Sequence, residues 1–148
     1  MKSRGILTCL VIAGACVASP AMAQDRAADV ERRFSAFEAN SRQEGRNLTR
    51  VTRGAASLRQ DRWQSFVTPP LSAGANYLFV GYCDQHCTNA GLEVTGMWGQ
   101  VVGSDFLGDA NPIVSVPSTE AGAYGFRGIM KECSQGACLM EVRVYRWD

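Results

Sequence analysis

Four cysteines, one histidine and a few carboxylates are the side chains here whose spacing could do chemistry. Cys83 and Cys87 bracket Asp84 and His86 in YCDQHC, and Cys133 and Cys138 close ECSQGAC. Thiolates spaced C-x3-C and C-x4-C can hold a tetrahedral zinc ion, or they can oxidise to disulfides in an exported protein. Asp84 and His86 could ligate a metal or act as an acid–base pair. Asp105 and Asp109 flank a Gly-containing turn, where they could give oxygens to calcium; Asp in such loops more often holds local backbone amides. Neither cysteine pair has the C-x-x-C spacing of a thiol oxidoreductase. His86 is the only histidine, so a serine nucleophile would have no other base, and no G-x-S-x-G accompanies it. A carboxylate pair drawn from Asp84, Asp105, Asp109 and Glu132 would suit a hydrolase, but separation in space decides that.

The compartment settles the state of the thiols. Lys2 and Arg4 precede thirteen apolar or small residues over 6–18, and Ala21-Met22-Ala23 offers an A-x-A cleavage site. This is the three-part pattern of a secretory signal peptide over residues 1–23, too short to span a bilayer. Cys16 after Ala13-Gly14-Ala15 offers lipidation as the competing reading. Cleavage after Ala23 removes Cys9 and Cys16 and leaves four cysteines, an even number that reads as disulfides in an oxidising compartment. Of the three connectivities, Cys83–Cys87 and Cys133–Cys138 are favoured because each closes a tight loop. Such short loops remove only about 2 kcal/mol of unfolded-chain entropy each, so they shape loops more than they hold up a fold. No metal or other cofactor is expected.

The elements that must carry these loops follow from periodicity. From Asp25 to Gln43, Val30, Phe34 and Phe37 recur at helical spacing among charged residues, Asp25 and Asp29 suit a helix start, and Gly45 suits a stop. One narrow apolar stripe predicts an amphipathic helix laid against something. Leu48, Val51, Ala55 and Leu58 would continue helical spacing against the opposition of Gly54, so residues 24–60 read as a helical N-terminal segment whose 45–60 portion is undetermined. Beyond it, about seven short strands alternate with turns: WQSFVT, NYLFVGY, a run at Leu92–Val94–Trp98, Val101-Val102, Ile113 to Val116, AYGFRGIM, and the closing Met140–Val142–Val144 run. NYLFVGY is apolar on both faces, as at the centre of a packed sheet. The fold class is all-β, an antiparallel sandwich or barrel over residues 61–148.

Three stretches then carry a resemblance: LSAGANYLFVGYCDQHCTNAGLEV, SDFLGDANPIVSV and GAYGFRGIMKECSQGAC. Together, over residues 71–145, they resemble the bacterial pre-peptidase C-terminal domain-like group, in particular small exported members with a C-D-x-x-C loop and a second cysteine pair. The resemblance implies a jelly-roll-like β-sandwich and a non-catalytic module linked with secretion, adhesion or surface binding. Relatives carry a D-x-D-L arrangement where Asn89 and Gly91 stand here, and an acid where His86 stands. Any calcium site built on those carboxylates would lose most of its oxygens.

Charge narrows the partners. The part expected to remain after cleavage has thirteen basic and fourteen acidic side chains, and residues 63–148 hold four against eight. A nucleic-acid binder would carry a basic field over its folded domain, so nucleic acid is not expected. The nine arginines and six acids of residues 24–62 read as a solvated face, with an acidic or anionic partner as the alternative. Trp63, Trp98, Trp147 and the four tyrosines could form an aromatic strip for sugars or peptides, but most aromatics of a small sandwich belong in its core. Trp147, beside the terminus, is expected to be the most exposed. The leading function is a non-catalytic exported module binding a protein or polysaccharide at the cell envelope, with no membrane span after cleavage. A secreted hydrolase and a calcium or zinc module around Asp84 and His86 are the alternatives. Oligomeric state is not readable from the sequence.

Overall fold

The structure, a computed structural model, describes residues 20–147. One helix, α1 (Pro20–Gln43), is followed by eight strands: β1 (Leu48–Leu58), β2 (Arg62–Val67), β3 (Asn76–Cys83), β4 (Cys87–Thr95), β5 (Val101–Asp105), β6 (Ile113–Pro117), β7 (Gly125–Cys133) and β8 (Cys138–Trp147). They form two four-stranded sheets, ordered β1-β8-β3-β6 and β2-β7-β4-β5, and every pairing between them is antiparallel. The order alternates between early and late strands in both sheets, which is the jelly-roll arrangement. The expected all-β sandwich is therefore what the chain forms.

Strand alternation builds the core between the sheets. Tyr77 and Phe79 of β3 and Met140, Val142 and Val144 of β8 face Ala90, Leu92 and Val94 of β4 and Phe126 and Met130 of β7. The other face of β3 is apolar too, because α1 covers it. Val30 and Phe34 pack there with Val80 and Tyr145, and Phe37, Leu48, Leu78, Tyr82 and Leu139 join them. Phe34 meets Tyr82 edge-on at 4.8 Å between ring centres. The stripe that predicts a docked helix thus finds its sheet, and β3 is buried on both faces as NYLFVGY suggests.

Two expectations about the N-terminal segment need correction. The helix begins at Pro20 and has no acid in its first turn; Asp29 lies inside it and pairs with Arg32 and Arg33. Residues 48–58 are not helical but form β1, paired with β8 along its whole length. The reason is a register shift between Arg50 and Thr52, a bulge that changes which residues share a face. Leu48 joins the cluster under α1, while Val51 and Leu58 belong to the core between the sheets. The 3-4-3 spacing that mimics a helix is a broken two-residue alternation. Gly54 fits the same picture, since a Cβ there would collide with the Phe66 ring from the opposite sheet. The sandwich accordingly starts at residue 48 and not at 61. The expected signal peptide, with Cys9 and Cys16, lies outside the described residues except for 20–23, the first turn of α1. Among the described residues no helix is long and apolar enough to cross a membrane.

Candidate functional site

Both favoured cysteine pairs are joined: Cys83–Cys87 and Cys133–Cys138, each with Cα atoms 5.9 Å apart. The two cystine loops lie side by side, because Cys87 and Cys133 are partners in the β4–β7 ladder. Asp84 locks them together. Its carboxylate accepts N–H bonds from His86 at 3.0 Å and Leu139 at 2.7 Å, and its own N–H donates to the Leu139 carbonyl at 2.9 Å. The side chain has no exposed surface. Arg26 of α1 adds a third tie: it donates to the Ala137 carbonyl at 2.8 Å and stands 3.8 Å from Asp84. A carboxylate so enclosed and hydrogen-bonded is a strut. His86 is half-buried at the loop surface, and its carbonyl accepts from the Ser134 N–H at 2.8 Å.

Asp105 and Asp109 do what turn aspartates do. Asp105 accepts from the N–H groups of Leu107 at 3.1 Å and Ile113 at 2.8 Å, and Asp109 accepts from that of Asn111 at 2.8 Å. Glu132 takes the Thr88 hydroxyl at 2.9 Å. The structure does bring Asp84 and His86 into one loop, but Asp105 ends β5 and Asp109 lies in the separate β5–β6 connection. Among the described residues no three of His, Cys, Asp and Glu come together as a metal cluster.

The largest buried charge lies under the helix. Arg143 is 1% exposed, stands 4.0 Å over the Phe34 ring, and pairs with Glu141 at 2.7 Å, Glu38 at 3.4 Å and Glu31. Burial opposes its charge, but the hydrogen bonds it donates to Glu31 and Glu141 more than offset this and hold the guanidinium above its usual range. The same bond to Arg143 holds Glu31 below the ordinary carboxylate range. Burial raises the Tyr145 hydroxyl, and its 2.7 Å hydrogen bond to Glu38 adds to the rise. These groups fasten α1 to the sheet.

The outer face of the other sheet is arranged differently. Register places its outward residues in rows: Trp63, Ile129 and Gly91; Ser65, Arg127, Glu93 and Ser104; Val67, Gly125, Thr95 and Val101. A groove of about 380 Å³ runs here, lined among others by Ser65, Val67, Glu93, Thr95, Val101 and Arg127. Gly125 keeps its floor low, since a Cβ there would meet the Thr95 hydroxyl. Arg127 and Glu93 pair at 2.9 Å in the middle, while Arg127 Nε is buried with no hydrogen-bond partner among the described residues. The Arg127 guanidinium stands 5.4 Å from the centre of the Trp63 ring. Trp63 is 56% exposed and Trp98, in the β4–β5 turn, 78% exposed. Trp147, expected to be the exposed tryptophan, is half-buried because the closing strand pairs on both sides, with Leu48 and Asn76 flanking it.

Of this face only Trp63 was put forward by the sequence, as one of the aromatics that could form a binding strip; Arg127, Glu93 and the groove lining were not. The available signal was the alternation of Trp63, Ser65 and Val67 along β2, which puts all three on one face; the partners on β7 and β4 come only from register.

No protein-family model matches the chain, and no curated protein matches it. Among solved structures the chain is similar to a carbohydrate-binding module determined in complex with calcium and xylotriose, at 14% identity and a TM-score of 0.37, over 71% of this chain and 95% of that one.

Proposed function

We propose that this chain is an exported, non-catalytic β-sandwich module that binds polysaccharide in the groove on the outer face of the β2-β7-β4-β5 sheet. The observation that carries the reading is Trp63, exposed beside the Arg127–Glu93 pair on the same open face. A flat indole offers a stacking surface for the apolar face of a sugar ring. The guanidinium, the carboxylate and the hydroxyls of Ser65 and Thr95 offer donors and acceptors for ring hydroxyls. An open, shallow groove suits a chain that passes through. The helix closes the opposite sheet, which leaves this face for a ligand. Export is supported by the signal pattern of residues 1–23 and by two disulfides. The resemblance of residues 71–145 to pre-peptidase C-terminal modules points the same way.

The experiment is depletion and affinity electrophoresis of oxidised protein against soluble and insoluble polysaccharides, with Trp63→Ala, Arg127→Ala and the distant Arg59→Ala. Retention lost in the first two variants and kept in the third is the expected result. No retention on any polysaccharide, or retention indifferent to Trp63, overturns the reading.

A further inference from the structure

A second cleft lies on the helix side of the sandwich, where α1 turns back into β1. The last turn of α1 holds Arg42. The chain then reverses through Gly45 at φ 77°, a left-handed conformation that glycine adopts at helix ends without strain. The Arg46 N–H donates to the Ser41 carbonyl at 2.9 Å and fixes the reversal. This geometry brings Arg42 of the helix and Arg50 of the strand to one cleft of about 470 Å³, which Glu38, Asn47, Thr49 and Tyr145 also line.

The charges in the cleft are unbalanced. Neither the Arg42 nor the Arg50 side chain makes a hydrogen bond or ion pair among the described residues, although Arg50 is near enough to Glu31 to help lower that carboxylate, whereas Arg46 of the same reversal is paired with Glu44 at 3.2 Å. The helix dipole favours a cation at Arg42, and the Glu31 carboxylate, already bonded to Arg143, acts on Arg50 only from a distance. Glu38 is the acid of the lining, and its Oε1 already accepts from the Tyr145 hydroxyl at 2.7 Å and from Arg143 at 3.4 Å. Two guanidinium forks are therefore left facing open space, with the Thr49 hydroxyl and the Asn47 amide as neutral donors beside them. Guanidinium forks match the oxygens of a phosphate group in bidentate geometry, which a point charge does not.

We propose that the cleft between Arg42 and Arg50 binds a phosphate group, either soluble or carried on a lipid headgroup. The site is on the opposite side of the sandwich from the polysaccharide groove and stands or falls separately from it.

The test is titration of the protein with inorganic phosphate in low-chloride buffer, followed by amide chemical shifts. Saturable shifts centred on residues 47–50 are expected, lost in Arg42→Ala/Arg50→Ala. Arg42→Lys and Arg50→Lys, which keep charge but lose the fork, should each weaken binding by about fivefold or more. Both side chains are exposed, so the alanine variant should unfold at the wild-type temperature; if it does not, the lysine variants carry the test. Co-sedimentation with phosphatidylcholine vesicles containing phosphatidic acid, but not with phosphatidylcholine alone, assigns the phosphate to a lipid. Saturable phosphate binding without co-sedimentation assigns it to a soluble group. Shifts that never saturate, or that persist in the double alanine variant, overturn the proposal.

Discussion

The Asp84 carboxylate accepts a 2.7 Å hydrogen bond from the Leu139 N–H, 55 residues further along the chain. With the His86 N–H as second donor, it fixes the shape of one cystine loop and attaches that loop to the start of β8. The C-D-x-x-C motif is thereby a joint between distant strands, held on two sides by disulfides and on a third by Arg26.

Asp84→Asn tests that joint. The amide presents an N–H₂ group to one of the backbone donors, leaving a buried polar group unsatisfied, which costs about 1–3 kcal/mol. Urea unfolding of oxidised protein should show that loss. Arg26→Ala, removing a weaker and partly exposed tie, should cost about 1 kcal/mol or less. An Asp84→Asn variant as stable as wild type would mean that the loop is held by its disulfide alone.

Removing Arg143 should loosen the helix. Arg143→Ala leaves Glu141 buried without its partner and uncovers the Phe34 ring; breaking such a buried pair costs about 3–5 kcal/mol, and the partial exposure of Glu31 and Glu38 places the expected value at the lower end. Limited proteolysis should then cut within α1 sooner than in wild type, while the sheets keep their near-ultraviolet signature. Equal cleavage rates would show that the apolar stripe alone holds α1 down.

Stability should fall at alkaline pH. Tyr82 is raised above the ordinary tyrosine value of 10.0 by burial, and Tyr145 is raised further by burial and its bond to Glu38. A folded-state value above the unfolded one means a contribution present below about pH 10 and lost as pH rises through the folded-state values. Glu31 has the opposite sign: its depressed value gives a contribution present above the unfolded carboxylate range and lost as pH falls through the folded value. Phenolate absorbance against pH should show a late-titrating component that shrinks by one tyrosine in Tyr82→Phe and by one in Tyr145→Phe. A late component unchanged by both substitutions would contradict the packing of α1.

Gly54→Ala should be costly for its size. The added Cβ would run into the Phe66 ring, and Phe66 stacks on Phe126 at 5.4 Å, so the displacement carries into the core. Overpacking of this kind costs about 1–3 kcal/mol, measurable in the midpoint of denaturant unfolding. At Gly136, where a Cβ meets nothing within 4 Å, alanine should change stability by about 0.5 kcal/mol or less.

Much of this protein was legible in its residues. The strands after β1 were readable because each alternates or is apolar on both faces, and the disulfide pairing because two short loops are the easiest to close. The turn roles of Asp105 and Asp109 followed from their place beside Gly108. β1 was not readable: a bulge at Arg50–Thr52 turns its alternation into false helical spacing, and Gly54 makes sense only once Phe66 arrives from the other sheet. Helix and strand signals are local, and a bulge is set by the partner strand.

The sequence by itself determined the class: an all-β antiparallel sandwich or barrel with a docked helix and two local staples, because periodicity and cysteine spacing are properties of neighbouring residues. Only the tertiary structure decided which residues could form a site. It enclosed Asp84, the residue that the motif put forward, and it lined up Trp63, Arg127 and Glu93 from three strands on one open face. Strand register makes those neighbours, and register is fixed by the burial of the opposite face of the same strands.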